Sequence, residues 1–205
     1  LKDISGTIIE YGCGSGSLLI NLAKEERFSS VTGVDISENL LDSVNKAGAK
    51  LDMSKEKSID LFLPTNDTLP NIKDNTFDVV ICNHVLEHVE DSHKVMTEFY
   101  RVMRPGGWGI FQVPIDTNNP NTEEDKSVTD PKERERLYWQ DDHLRLFGLD
   151  YGKKLESAGF SVTESNFINE LDPKLVERYA LPKGDGKMPY RRSTFNFAAI
   201  THRSE

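Results

Sequence analysis

The chain has 205 residues, 37% of them hydrophobic and 29% charged, with a formal net charge of -9, which gives one domain enough length for a sizeable core. The acidic balance opposes a nucleic-acid substrate, because phosphate backbones are held chiefly by Lys and Arg; the short basic clusters, Arg134 with Arg136 and Arg191 with Arg192, read as solvated surface or as a clamp for one anionic substrate group. No apolar run reaches the ~20 residues of a membrane span and no secretory signal precedes the first strand, so a cytoplasmic enzyme is the expected class.

In chain order, Thr7-Ile8-Ile9 is a short β-branched strand of the kind buried on both faces, and Glu10 closes it. Gly12, Gly14 and Gly16 then alternate through a tight turn, where missing Cβ atoms permit positive φ and let a ligand lie against the backbone. A helix from Ser17 to about Glu26 aims its free N–H groups at that ligand. The second strand, Ser30 to Val34, ends in Asp35, an acid placed to accept hydrogen bonds from both hydroxyls of a ribose. The spacing E-x-G-x-G-x-G is offset from that of a dinucleotide fold and puts Glu10 at the pocket. A carboxylate there repels a pyrophosphate and attracts an ammonium or sulfonium, so the pocket reads as one for a positively charged nucleoside. Ser37 is a plausible N-cap for a helix with Leu40, Leu41 and Val44 on its apolar face, ended by Gly48.

Ile59 to Leu63 is read as the third strand, and Asn75 to Asp78 as the turn into the fourth, Val79 to Cys82, whose carboxyl end carries Asn83 and His84. Open α/β sheets bind ligands at such strand ends, near the switch in strand order. Asp91 to Met103 is a helix with a core face, stopped by Pro105-Gly106-Gly107, and Trp108 to Val113 is a fifth strand ended by Pro114. The stretch from Ile115 to Phe147, with its Asn-Pro turns, acids and a charged short helix ending in Tyr138-Trp139, does not read as core; a long insertion from the ligand rim is usually a lid. Within it His143 is the best single candidate for a general base, with an adjacent acid able to orient it, the alternative being a lid anchor. Gly148 to Ala158 is a helix, Ser161 to Phe167 a sixth strand and Thr194 to Ile200 the last. Cys13 and Cys82 read as small buried filler with reduced thiols. No cysteine and histidine spacing resembles a zinc site, and no metal is expected.

Four segments, E-Y-G-C-G-S-G, V-T-G-V-D-I-S, F-D-V-V-I-C-N-H-V-L-E-H-V and R-V-M-R-P-G-G-W, stand in order and at normal spacing. Together they resemble a class I S-adenosylmethionine-dependent methyltransferase of the ubiquinone-biosynthesis-like branch, over Thr7 to about Phe160. The resemblance implies a Rossmann-like α/β fold: a doubly wound seven-stranded sheet, order 3-2-1-4-5-7-6, mostly parallel with an antiparallel last strand. It implies S-adenosylmethionine as cofactor, S-adenosylhomocysteine as product, and contacts from Glu10, Gly12, Cys13, Gly14, Gly16, Asp35 and Ile36, with Asn83 and His84 along the methionine part. The family's adenine-binding acid stands about four positions before a Leu-Pro; Thr65 occupies that position here, so Asn66 or Asp67 takes the contact, with Asp60 and Asp52 left open. His88 falls in the family's structural corner beside the cofactor. Residues 1–205 are then a single methyltransferase domain with residues 115–147 as substrate lid, and a segment upstream of Leu1 is expected to be missing.

The implied activity is in-line methyl transfer to a small-molecule acceptor, without nucleic acid or membrane span. Two other classes stay open: a protein that binds the cofactor without turnover, and a nicotinamide-dependent oxidoreductase, which Glu10 and the glycine offset disfavour.

Overall fold

The computed structural model describes residues 5–48, 59–165 and 194–203, together with Asp172 and Lys174. Asp52, the Arg191 and Arg192 pair, and the end of the expected sixth strand at Asn166 and Phe167 lie outside the described residues. The elements are β1 (Gly6–Tyr11), α1 (Ser17–Lys24), β2 (Phe28–Val34), α2 (Glu38–Gly48), β3 (Ile59–Phe62), β4 (Phe77–Asn83), α3 (Ser92–Val102), β5 (Met103–Asp116), β6 (Glu123–Glu124), α4 (Pro131–Tyr138), β7 (Arg145–Leu146), α5 (Tyr151–Ser157), β8 (Ser161–Ser165) and β9 (Thr194–His202).

Among the described residues seven strands form one sheet in the order β3-β2-β1-β4-β5-β9-β8, with β6 and β7 paired separately. Counted within the main sheet, this is the expected order 3-2-1-4-5-7-6. Pairs from β3 through β5 are parallel, and β9 runs antiparallel to both β5 and β8. The short apolar runs alternate across the sheet and build a core on each face. Ile8, Val31, Val79 and Ile81 meet Leu19 and Ala23 of α1 and Leu41 and Val44 of α2. On the other face Ile9, Tyr11, Val80, Cys82 and Phe111 meet Val95, Met96 and Phe99 of α3 and Tyr151 and Leu155 of α5. Phe99 stands edge-on to Tyr11 and stacks on Phe111, each at 5.1 Å between ring centroids. Each such buried side chain contributes roughly 1.5–3 kcal/mol. Asp91 starts α3 by accepting from the Lys94 N–H at 3.0 Å.

Several boundaries differ from the sequence reading: β4 begins at Phe77, and β5 begins at Met103 and includes Pro105-Gly106-Gly107, which end α3 without delaying the strand to Trp108. β1 does not close at Glu10 but runs through it to Tyr11, because Glu10 is paired on both sides, with Gly33 and Ile81. Nor does Pro114 end β5, which continues to Asp116. The carbonyl of Gln112 accepts from the His84 N–H, so the edge that carries residues 112 and 114 faces β4. Beyond Asn83 the β4 ladder is finished, and a residue without an N–H costs no bond there.

The strand order reverses between β1 and β4, and because β1, β2 and β4 are parallel, Tyr11, Val34 and Asn83 end at one rim. From this rim residues 117–144 leave β5 and return through α4 and the β6–β7 pair. The return is fastened: Ile115 bridges Phe147, Asp150 accepts from the Thr122 N–H and hydroxyl at 2.8 and 2.7 Å, and the Tyr138 hydroxyl accepts from the Asp125 N–H. Among the described residues no helix is long and apolar enough to cross a membrane.

Candidate functional site

The glycine turn is built from its backbone outward. The Val34 carbonyl accepts from the N–H groups of Gly12 and Cys13 at 2.7 and 3.0 Å, fixing the turn to the end of β2. Gly12, Gly14 and Gly16 all have positive φ, but for different purposes. A Cβ on Gly12 would fall on Val85, and one on Gly16 would come within 2.6 Å of Val44, so these two glycines admit neighbouring side chains. A Cβ on Gly14 would meet nothing within 4 Å among the described residues; its face is open there.

Asp35 closes the other side. Its carboxylate accepts from the Gly14 N–H at 2.8 Å and the Ser37 N–H at 3.0 Å, one bond to each oxygen. Each oxygen keeps a lone pair for an outside donor. Beside it Ile36 is 83% exposed, an apolar side chain left on the rim. Glu10, in β1 just before the turn, is 7% exposed, and its Oε2 has no hydrogen-bond partner among the described residues. Burial pushes its carboxyl up to about 7, against the pull of the Leu19 N–H, and the nearby Asp35 charge adds to the rise. The Cys13 thiol is pushed up to about 12 by burial and then by Asp35 and Glu10. The buried Cys82 thiol is raised for the same first reason, with Glu87 and Glu10 adding, and both cysteines are free. Glu10 and Asp35 thus make the neighbourhood of the turn negative when ionised, and a buried carboxylate with one oxygen unpartnered fits a cationic ligand.

The residues expected at the adenine end occupy a tight turn. Thr65 and Thr68 exchange N–H to carbonyl bonds of 2.9 and 3.0 Å, with Asn66 at φ 48 and Asp67 at φ 59. Asp67 accepts from the Asp91 N–H at 3.2 Å and the Asn66 carbonyl accepts from Lys94 Nζ at 2.7 Å, so both are tied to the start of α3. The Asn66 side chain is exposed, and Asp60 is an exposed mid-strand residue of β3 opposite Thr32. At the end of β4, Asn83 pairs with Gln112 and His84 takes φ 54, a bend that brings its Nδ1 to 3.3 Å from Glu87 Oε1.

His143 sits elsewhere than a base on the rim would. It is 1% exposed, and its Nδ1 donates to the Tyr138 carbonyl at 2.8 Å, which leaves Nε2 as the unprotonated and unpartnered nitrogen. The partner is a carbonyl and not the adjacent acid: Asp142 instead pairs with His88 Nδ1 at 3.2 Å. Burial holds the His143 imidazole below its usual value despite the Tyr138 carbonyl, and His88 lowers it further. The two imidazoles meet edge to face at 4.7 Å.

Sequence reasoning missed the residue that joins lid to sheet. Arg145 is 1% exposed; its Nη1 donates to the carbonyls of Leu86 and Val89 at 2.6 Å, and its Nη2 to the Glu90 carbonyl and Glu124. The Leu144 N–H adds a bond to the Glu87 carbonyl. The available signal was the pairing of two unusual stretches, the Leu-Glu-His corner and the His-x-Arg run, which the fold lays side by side.

Comparison with known proteins agrees with this geometry. Residues 9–111 match the family model described as "Methyltransferase domain". The mitochondrial ubiquinone biosynthesis O-methyltransferase of Candida albicans is 33% identical over 108 residues, covering 53% of this chain and 32% of that protein. The chain thus spans about a third of the length of such curated relatives. Among solved structures, an S-adenosylmethionine-dependent methyltransferase from Mesorhizobium loti superposes with a TM-score of 0.66 at 21% identity, covering 99% of this chain and 94% of that one. The [4+2]-cyclase SpnF superposes with a TM-score of 0.68 at 18% identity, covering 98% and 76%. With half of its length matched by the family model and four motifs in register, the chain belongs to the class I S-adenosylmethionine-dependent methyltransferase family.

Proposed function

We propose that the chain transfers a methyl group from S-adenosylmethionine to a small-molecule acceptor. The observation that carries the reading is a buried Glu10 carboxyl with one oxygen unpartnered, electrostatically coupled to a half-buried Asp35 that keeps acceptor capacity and that itself holds the backbone of the open Gly14. S-adenosylmethionine supplies a methyl group already activated on a sulfonium. What remains for the protein is to bind, align and exclude water.

In this reading Glu10 balances the ligand's positive charge, Gly12, Cys13, Gly14 and Gly16 present backbone to it, and Asp35 receives the ribose hydroxyls with Ile36 against the base. Asn66 and Asp67 border the adenine end. Asn83 and His84 line the methionine side, with the His84 ring oriented by Glu87. Residues 115–147 serve as the substrate cover, held down by Arg145. The proposal does not use His143 as a base, because its free Nε2 is shut away from the rim among Glu87 and His88.

SpnF shows that this fold also accommodates a protein named for another reaction, so turnover itself has to be measured. The test is transfer of a labelled methyl from S-adenosylmethionine to a panel of small phenols, amines, thiols and carboxylates. Label is expected in one acceptor class. Asp35→Ala removes a charged acceptor and should weaken S-adenosylmethionine by roughly 1.5–3 kcal/mol. Cofactor binding with no transfer to any acceptor would make the chain a binding protein.

A further inference from the structure

We propose that Glu87, His88 and His143 bind a divalent transition-metal ion through one carboxylate oxygen and two imidazole nitrogens. Each of the three offers a ligand atom, and these atoms lie within 4.8 Å of one another. They come from the corner after β4 and from the lid, two parts of the chain joined only by folding.

Three further observations point to an ion at this place. First, Glu87 and His143 are each 1% exposed, yet Glu87 Oε2 and His143 Nε2 have no hydrogen-bond partner among the described residues. A buried polar atom is rarely left unpaired, and one cation within the cluster would satisfy both. Second, the outer contacts are those of ligating histidines. The Tyr138 carbonyl holds His143 by Nδ1 and the Asp142 carboxylate holds His88 by Nδ1, so in each ring Nε2 is the nitrogen left to ligate. Glu87 is held likewise, with Oε1 on His84 and Oε2 free. Third, there is a way in: His88 also lines a cavity of about 260 Å³ with Glu90, Glu124, Lys126 and Arg134.

Two imidazoles and one carboxylate suit zinc, cobalt, iron or manganese better than magnesium, which prefers oxygen ligands alone. Three protein ligands leave at least one coordination position open. Because His143 belongs to the lid and Glu87 and His88 to the sheet corner, the ion fastens the one to the other. The assignment stands on ligand geometry and is independent of the reaction proposed above.

The test uses the purified full chain, stripped with a chelator, dialysed and titrated calorimetrically with zinc chloride, cobalt chloride and magnesium chloride. One equivalent of zinc or cobalt should bind at micromolar concentration or tighter, with visible absorption from bound cobalt, and magnesium should bind far more weakly. His143→Gln should lower zinc affinity by ~100-fold or more. Since that residue is buried, Asp142→Asn is the companion variant: it removes an exposed carboxylate from His88 and should cost about 10–100-fold with circular dichroism and melting temperature unchanged. His93→Gln, on the exposed side of α3, should leave binding as it is. The site is overturned if neither zinc nor cobalt binds up to millimolar concentration, if magnesium binds more tightly than they do, or if folded Asp142→Asn and His143→Gln proteins bind zinc at full strength.

Discussion

Glu10 couples stability and ligand binding to pH. Its carboxyl stands at about 7 in the folded chain against 4.5 as an ordinary carboxyl. Below pH 4.5 it is protonated in both states; between 4.5 and about 7 only the folded chain keeps the proton, so stability falls as pH rises through that window. The loss amounts to about 3 kcal/mol at most, and Glu10→Gln should flatten it in urea titrations repeated across the window. Above the window the ionised carboxylate attracts a cation, so S-adenosylhomocysteine affinity should rise between pH 6 and 8 in the parent chain and stay level in Glu10→Gln. The glycines separate ligand space from packing space. Gly14→Ala and Gly16→Ala both pay roughly 1–2 kcal/mol for left-handed backbone. Only Gly16→Ala also crowds Val44, so it should melt lower, whereas Gly14→Ala should keep its fold and lose ~10-fold or more in cofactor affinity by calorimetry. The types and order of these residues were legible in the sequence; that Glu10 lies inside a strand, with no partner for one oxygen, was not, because it depends on pairing from both neighbours.

At the scale of elements, the lid is held by a buried arginine more than by its own secondary structure. Arg145 serves three carbonyls of the corner, and Glu124 balances its charge. Arg145→Met should therefore destabilise the chain by about 3 kcal/mol, chiefly by stranding those carbonyls. Hydrogen exchange should rise across residues 117–147 before it rises in β1 or β4. Exchange spread evenly over the sheet would mean that the lid is not a separate unit. The main-sheet strands were legible because their centres are short apolar runs, whereas β6 and β7, two residues each, were not; the helix faces were legible because Leu41 and Val44, or Val95 and Phe99, recur at helical spacing. The lid was legible as an insertion but not as a fastened one. A run reading Asp-His-Leu-Arg carries no sign that its arginine will be buried, since that burial is created by carbonyls 56 and 59 residues upstream.

For the whole molecule, a parallel sheet with a switch in strand order between β1 and β4 brings the glycine turn, Asp35 and Asn83 to one rim. That arrangement follows from topology, which is why four short motifs sufficed to anticipate it. The cluster of Glu87, His88 and His143 was hidden for the converse reason: 55 residues separate the two histidines, and neither segment alone has the spacing of a metal site. The central claim is that the rim holds a positively charged nucleoside and not a pyrophosphate. Its most direct test is calorimetric titration of the purified chain with S-adenosylhomocysteine, run beside NADH. Micromolar binding of S-adenosylhomocysteine with none of NADH is the predicted result; binding of NADH in its place would contradict the roles given to Glu10 and to the glycine turn.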